Sequence, residues 1–120
     1  MAKALLTIVT TKVINKTAAQ LLAANVVAIL GDSWCLTKCN MYPKFEASYK
    51  LELETKLPTL SQEQMIAWSI ACSNQLVSPW LVYFDEDTYT IELIFNANSH
   101  TSYKTAECQC IRWAHWQLTD

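Results

Sequence analysis

The chain is poor in glycine and proline: Gly31 stands alone, with three prolines in 120 residues. Phosphate cradles need glycine where backbone approaches the ligand, and none of the Gly-x-Gly-x-x-Gly, Walker, Gly-x-Ser-x-Gly or His-Glu-x-x-His motifs is present. Collagen-like and low-complexity disordered chains are excluded on the same ground. Charge is also scarce, at 17% of residues, against the usual quarter or so. Positive charge nearly vanishes in the second half. Residues 61–120 carry only Lys104 and Arg112 against seven acids (2 − 7 = −5), whereas residues 1–60 carry seven lysines against four acids (7 − 4 = +3). The net charge is −2 and the pI about 5.6. Non-specific nucleic-acid binding needs a basic footprint that is missing here. An acidic pole of this kind can instead steer a basic partner. No apolar run approaches the roughly 18 residues of a membrane span. The short run Ala4 to Val9 lacks the small-residue cleavage site of a signal peptide.

What the chain has is apolar mass, with 52% of residues hydrophobic. Its length fits one domain, residues 1–120, large enough for a core without disulfides or metals. Five cysteines, Cys35, Cys39, Cys72, Cys108 and Cys110, cannot all pair within one chain. Free thiols point to a reducing compartment, so the expected location is the cytoplasm.

The pattern along the chain predicts an α+β fold. Residues 4–14 are rich in β-branched side chains and read as a strand. Residues 17–30 are Ala- and Leu-rich and read as a helix, capped by Asn15 or Thr17 and ended by Gly31. Its expected stripe is Ala18, Leu21, Leu22, Asn25, Ala28 and Ile29. The other side is apolar as well, which predicts cover on more than one side. Residues 33–40 read as a short strand. From Phe45 to Glu54 apolar and polar residues alternate strictly, the mark of a strand with one wet face. Ser61 and Gln64 form a capping box, so a second helix is expected over 62–75, with Met65, Trp68, Cys72 and Leu76 inward. Strands at 80–84 and 88–95 flank the acidic turn Asp85-Glu86-Asp87. Residues 96–106 are a polar loop and 108–118 a last strand. There Cys108, Cys110, Arg112, Ala114 and Trp116 share one face by parity, and Ile111, Trp113 and His115 the other. The order β-α-β-β-α-β-β-β predicts two helices on one face of a mostly antiparallel sheet, a ferredoxin-like core with extra strands.

Three kinds of chemistry compete with plain structural roles. Cys35, Cys39, Cys108, Cys110 and His115 are zinc-type ligands, but neither cysteine pair has the Cys-x-x-Cys knuckle spacing. Buried thiols acting as small hydrophobes fit better. A thiol nucleophile needs a neighbouring histidine, and parity sets His115 opposite Cys108 and Cys110. Adjacent acids at a hairpin tip splay into water rather than sharing a cleft. No catalytic, cofactor-binding or metal-binding set is assigned, and the chain is read as a non-enzyme. The acids Asp85, Glu86, Asp87 and Glu92, with whichever of Trp113 and Trp116 is exposed, are the candidate partner-binding residues. The acids would set association rate and register, and the tryptophan most of the affinity.

In size, mild acidity and α+β layout the chain resembles the small bacterial immunity proteins of contact-dependent growth inhibition systems. No residue role is carried over from them. The resemblance implies one-to-one binding that blocks a cognate protein toxin, with three clustered acids suited to the basic cleft of a nuclease. No nucleic-acid or membrane partner is expected. The alternative is a small-molecule-binding or enzymatic α+β domain with an aromatic pocket lined by Phe45, Tyr49, Tyr89, Trp113 and His115. A third reading is a homo-oligomer joined through the first helix or an edge strand.

Overall fold

The computed structural model describes residues 1–119. In chain order the elements are β1 (Ala2–Thr10), α1 (Lys16–Leu30), β2 (Cys35–Met41), β3 (Tyr49–Leu57), α2 (Gln62–Ser73), β4 (Val77–Ser78), β5 (Leu81–Asp85), β6 (Thr90–Asn96), β7 (Ser102–Tyr103), a 3-10 turn (Ala106–Cys110) and β8 (Ile111–Thr119). Six strands form one sheet in the order β2-β3-β1-β8-β6-β5, with every neighbouring pair antiparallel. The short β4 and β7 pair apart from it. The fold is therefore α+β, with two helices and an antiparallel sheet. The set β2-β3-β1-β8 has the strand order of a split β-α-β unit, with β8 in the fourth place. The hairpin β5–β6 extends the sheet beyond β8, which leaves β5 as an outer edge.

Register explains the core. Three rows cross four strands on the helix side: Thr55-Ala4-Leu118-Ile91, Leu53-Leu6-Trp116-Leu93 and Leu51-Ile8-Ala114-Phe95. All twelve side chains are buried. Small Ala4 and Ala114 beside large Trp116 and Phe95 let the rows interdigitate with the helices. Helix α1 starts where the Asn15 side chain accepts the Ala18 N–H at 2.8 Å. Helix α2 starts in the reciprocal Ser61–Gln64 box, with bonds of 3.0 and 3.2 Å. Both caps satisfy N–H groups that no helical carbonyl can reach.

Several expectations are corrected by this packing. Helix α1 buries Ala19, Leu22, Ala23 and Val26, one residue out of phase with the expected stripe, and Leu21 is 65% exposed. Its apolar far side faces outward rather than into a second layer of the domain. Ala18, Ala24 and Ala28 are exposed there beside Leu21. Helix α2 meets the sheet through Met65, Ser69 and Ser73, whose small hydroxyl residues permit close approach, while Trp68 and Cys72 are half-buried. Strand β3 starts only at Tyr49, because Ala47 has φ 50° and turns the chain. Strand β8 starts at Ile111, and Cys108 and Cys110 lie in the preceding 3-10 turn.

One irregularity resets the faces of β8. Val9 pairs with Trp113 but Thr10 with Ile111, so Arg112 is the extra residue of a β-bulge. Simple parity fails across it. Ile111 is buried with Ala114 and Trp116, while Arg112 is exposed.

Gly31 is the one place where the fold needs glycine. It has φ 125° and ψ 160°, and its N–H closes α1 on the Val27 carbonyl at 2.8 Å. A side chain is disfavoured in that region even though an added Cβ would meet nothing within 4 Å. Gly31→Ala is expected to destabilise the chain by about 1–3 kcal/mol through backbone strain alone. Urea denaturation checks this as a lower midpoint with an unchanged slope.

Candidate functional site

The sheet face away from the helices divides into two halves. On β2, β3 and β1, charges pair across strands: Lys3 with Glu54 at 3.0 Å and Lys38 with Glu52 at 3.9 Å. Edge strand β2 also carries a bulge between Leu36 and Lys38. Lysine and bulge are ordinary defences against unwanted strand pairing.

The half built from β8, β6 and β5 differs. Register sets Leu81, Ile94 and His115 in one row, and Tyr83, Glu92 and Gln117 in the next. The outer strand β5 is apolar and open: Leu81 is 58% exposed, Val82 44% and Tyr83 54%. It carries no lysine or arginine and no bulge. Indeed no lysine or arginine occurs between Lys56 and Lys104, a span that holds Glu63, Asp85, Glu86, Asp87 and Glu92.

The candidate residues fall at two ends of this half. Asp85, Glu86 and Asp87 form the exposed hairpin tip. Asp85 is engaged in the turn itself, since its carboxylate accepts the Asp87 N–H at 2.9 Å and that of Thr88 at 3.4 Å. Glu86 and Asp87 are the outward charges. Glu92 lies mid-strand and meets His115 Nε2 at 3.2 Å. Trp113 sits at the far end, opposite Asn96, with its ring stacked on His115 at 6.0 Å. Thr90 and Asn96, which bound β6, are six residues apart, or about 20 Å along a strand. The acids and Trp113 thus end one stripe, with Tyr83, Leu81, Glu92 and Ile94 between them.

Trp116 leaves the candidate list. It is fully buried, its ring centroid 5.1 Å from that of Trp34 and 5.5 Å from that of Trp68. Register fixes this choice: Trp113 and Trp116 take opposite faces, and Trp116 falls in the buried row with Leu6 and Leu93. Trp80 is structural too: it packs on Phe95 at 5.7 Å and donates its indole N–H to the Val77 carbonyl at 2.8 Å. The five aromatic and histidine residues expected to line one pocket are dispersed. Phe45 and Trp113 line a shallow groove together, and His115 stacks beside it. Tyr49 is buried in the core, and Tyr89 lies at the hairpin end against Phe84.

Comparison with known proteins gives no match: no family model, no curated protein and no solved structure. The site must therefore be argued from its own chemistry. No helix among the described residues is long and apolar enough to cross a membrane.

Edge residues Leu81, Val82 and Tyr83 were missed in sequence, although 80–84 reads as a strand. Sheet order decides which strand is outermost, and order is not written in local periodicity. The span free of lysine and arginine was the available signal.

Of the five cysteines expected as buried thiols, only Cys39 and Cys108 are buried, and Cys72 and Cys110 are half-buried. Burial pushes the thiols of Cys39, Cys72, Cys108 and Cys110 above the ordinary value of 9.0. Cys35 is exposed on β2. At pH 8 a thiol reagent is expected to modify exposed Cys35 promptly, half-buried Cys72 and Cys110 more slowly, and buried Cys39 and Cys108 only as the chain opens, which mass spectrometry over time will resolve. The raised thiols hold their protons longer when folded. Their contribution to stability is whole below the unfolded value near 9.0 and is lost as pH climbs through the folded values.

Proposed function

We propose that this chain is a protein-binding inhibitor of the immunity type, which neutralises a cognate bacterial toxin in the cytoplasm by one-to-one binding. The β5–β6 hairpin carries the reading. It combines an undefended apolar edge strand with an acidic tip, in a span free of lysine and arginine. Exposed strand edges take up a partner strand through main-chain hydrogen bonds, and side chains on alternate faces give specificity. Tyr83 and Leu81 supply the apolar anchors beside that edge. Glu86 and Asp87 favour a partner with a basic surface and speed its approach. A toxin that binds nucleic acid, such as a nuclease, has such a surface around its active site.

The test is to read the adjacent reading frames for a large secreted protein and to co-express the full chain with that protein's C-terminal domain. The expected result is a 1:1 complex on size exclusion and restored growth of cells expressing the toxin domain. Failure of both would remove the reading. A stable dimer of the chain alone, joined through β5, would replace it with self-association.

A further inference from the structure

We propose that the groove between the Tyr42–Ser48 loop and the bulged start of β8 binds a small aromatic carboxylate, held by Arg112 and Trp113. The site lies at the Trp113 end of the stripe, away from β5 and the acidic tip.

Its floor is a row across three strands, Val9, Trp113 and Asn96. One wall is a stack running from Tyr42 to Phe45, with rings 5.8 Å apart, and on to Arg112, whose Cζ lies 3.6 Å from the Phe45 ring centroid. The bulge builds this wall, because the extra residue turns Arg112 out beside Trp113 instead of toward the helices. The loop is pinned at both ends: Tyr42 donates its N–H to the Ser48 carbonyl at 2.9 Å, and Val13 donates to the Ala47 carbonyl at 2.9 Å.

Two features specify the ligand. First, Arg112 is exposed, and no carboxylate among the described residues pairs with it. Stacking on Phe45 covers one face of the guanidinium and leaves its in-plane N–H donors free. A planar fork of donors matches a carboxylate, which it can hold with two parallel bonds. Second, the Trp113 ring beside that fork offers a surface on which an aromatic body can stack. Asn96 on the far side adds a polar residue to the lining. The groove volume is about 440 Å³, toward the small end of the range of about 300–1,000 Å³ for ligand sites. A single ring system with one acidic arm fits these limits.

The test is titration of the isotope-labelled full chain with indole-3-acetate and, separately, its neutral analogue indole-3-acetamide, followed by NMR. Saturable shifts are expected at Val9, Asn96 and the Trp113 indole, with the acetamide weaker by about tenfold or more. Arg112→Gln should weaken indole-3-acetate binding to a similar extent. The acid–amide comparison on the unaltered chain stands even if that variant folds poorly. No shifts at millimolar indole-3-acetate, shifts away from the groove, or equal binding of acid and amide would overturn the assignment.

Discussion

Replacing Trp116 with alanine is expected to destabilise the chain by about 3–5 kcal/mol, a large share of the 5–15 kcal/mol typical of a domain. The residue sits in the middle row of the sheet and contacts both Trp34 and Trp68, whose own rings stack at 6.3 Å. Removing it opens a cavity where the chain after α1, helix α2 and the sheet meet. Trp116→Phe should cost clearly less. It keeps a ring in place and removes an indole N–H that is buried without a hydrogen-bond partner. Trp113→Ala, on the open face, should have the smallest effect of the three. Chemical denaturation of these variants checks the order, and a Trp113 loss as large as that of Trp116 would contradict the assignment of faces.

The second large effect is on partner binding. Tyr83→Ala is expected to weaken the proposed partner complex by about 2 kcal/mol or more, roughly thirtyfold, mainly through faster dissociation. Tyr83 is over half exposed, so the change should leave folding nearly intact. Glu86→Lys with Asp87→Lys should act differently. These outward charges are not built into the turn as Asp85 is. Reversing them should slow association and flatten its salt dependence, with little change in dissociation. Kinetic binding measurements at two salt concentrations separate the two effects.

The sequence made the local elements readable where chemistry is local. Asn15, Ser61 and Gln64 cap helices as expected, and the alternation from Tyr49 to Leu53 marks a half-buried strand. Period two also sets Tyr89, Ile91, Leu93 and Phe95 on one face, and the last three are buried, whereas Tyr89 lies in the turn before β6 with φ 54°. What escaped depends on tertiary placement. The bulge at Arg112 shifts parity by one and moves Ile111 inward. The phase of α1 is ambiguous because alanine and leucine surround it, so only packing selects Ala19 and Val26 over Ala18 and Leu21. Sheet order leaves β5 uncovered and sets β8 beside β1. The candidate site follows the same division. The acids at 85–87 and Glu92 were legible as a charge pattern, whereas the apolar edge beside them, and the choice of Trp113 over Trp116, required the assembled sheet.

The central claim is that β5 and the acidic tip form the surface that meets a protein partner. Hydrogen exchange on the full chain, with and without the partner domain captured by co-expression, tests it most directly. Free, the alternate amides of Leu81–Asp85 that point away from β6 should exchange quickly, because nothing pairs with them across the edge. In the complex those amides should slow strongly, together with the tip at 86–89. Protection confined to α1 or to the β2 edge, with β5 unchanged, would contradict the account.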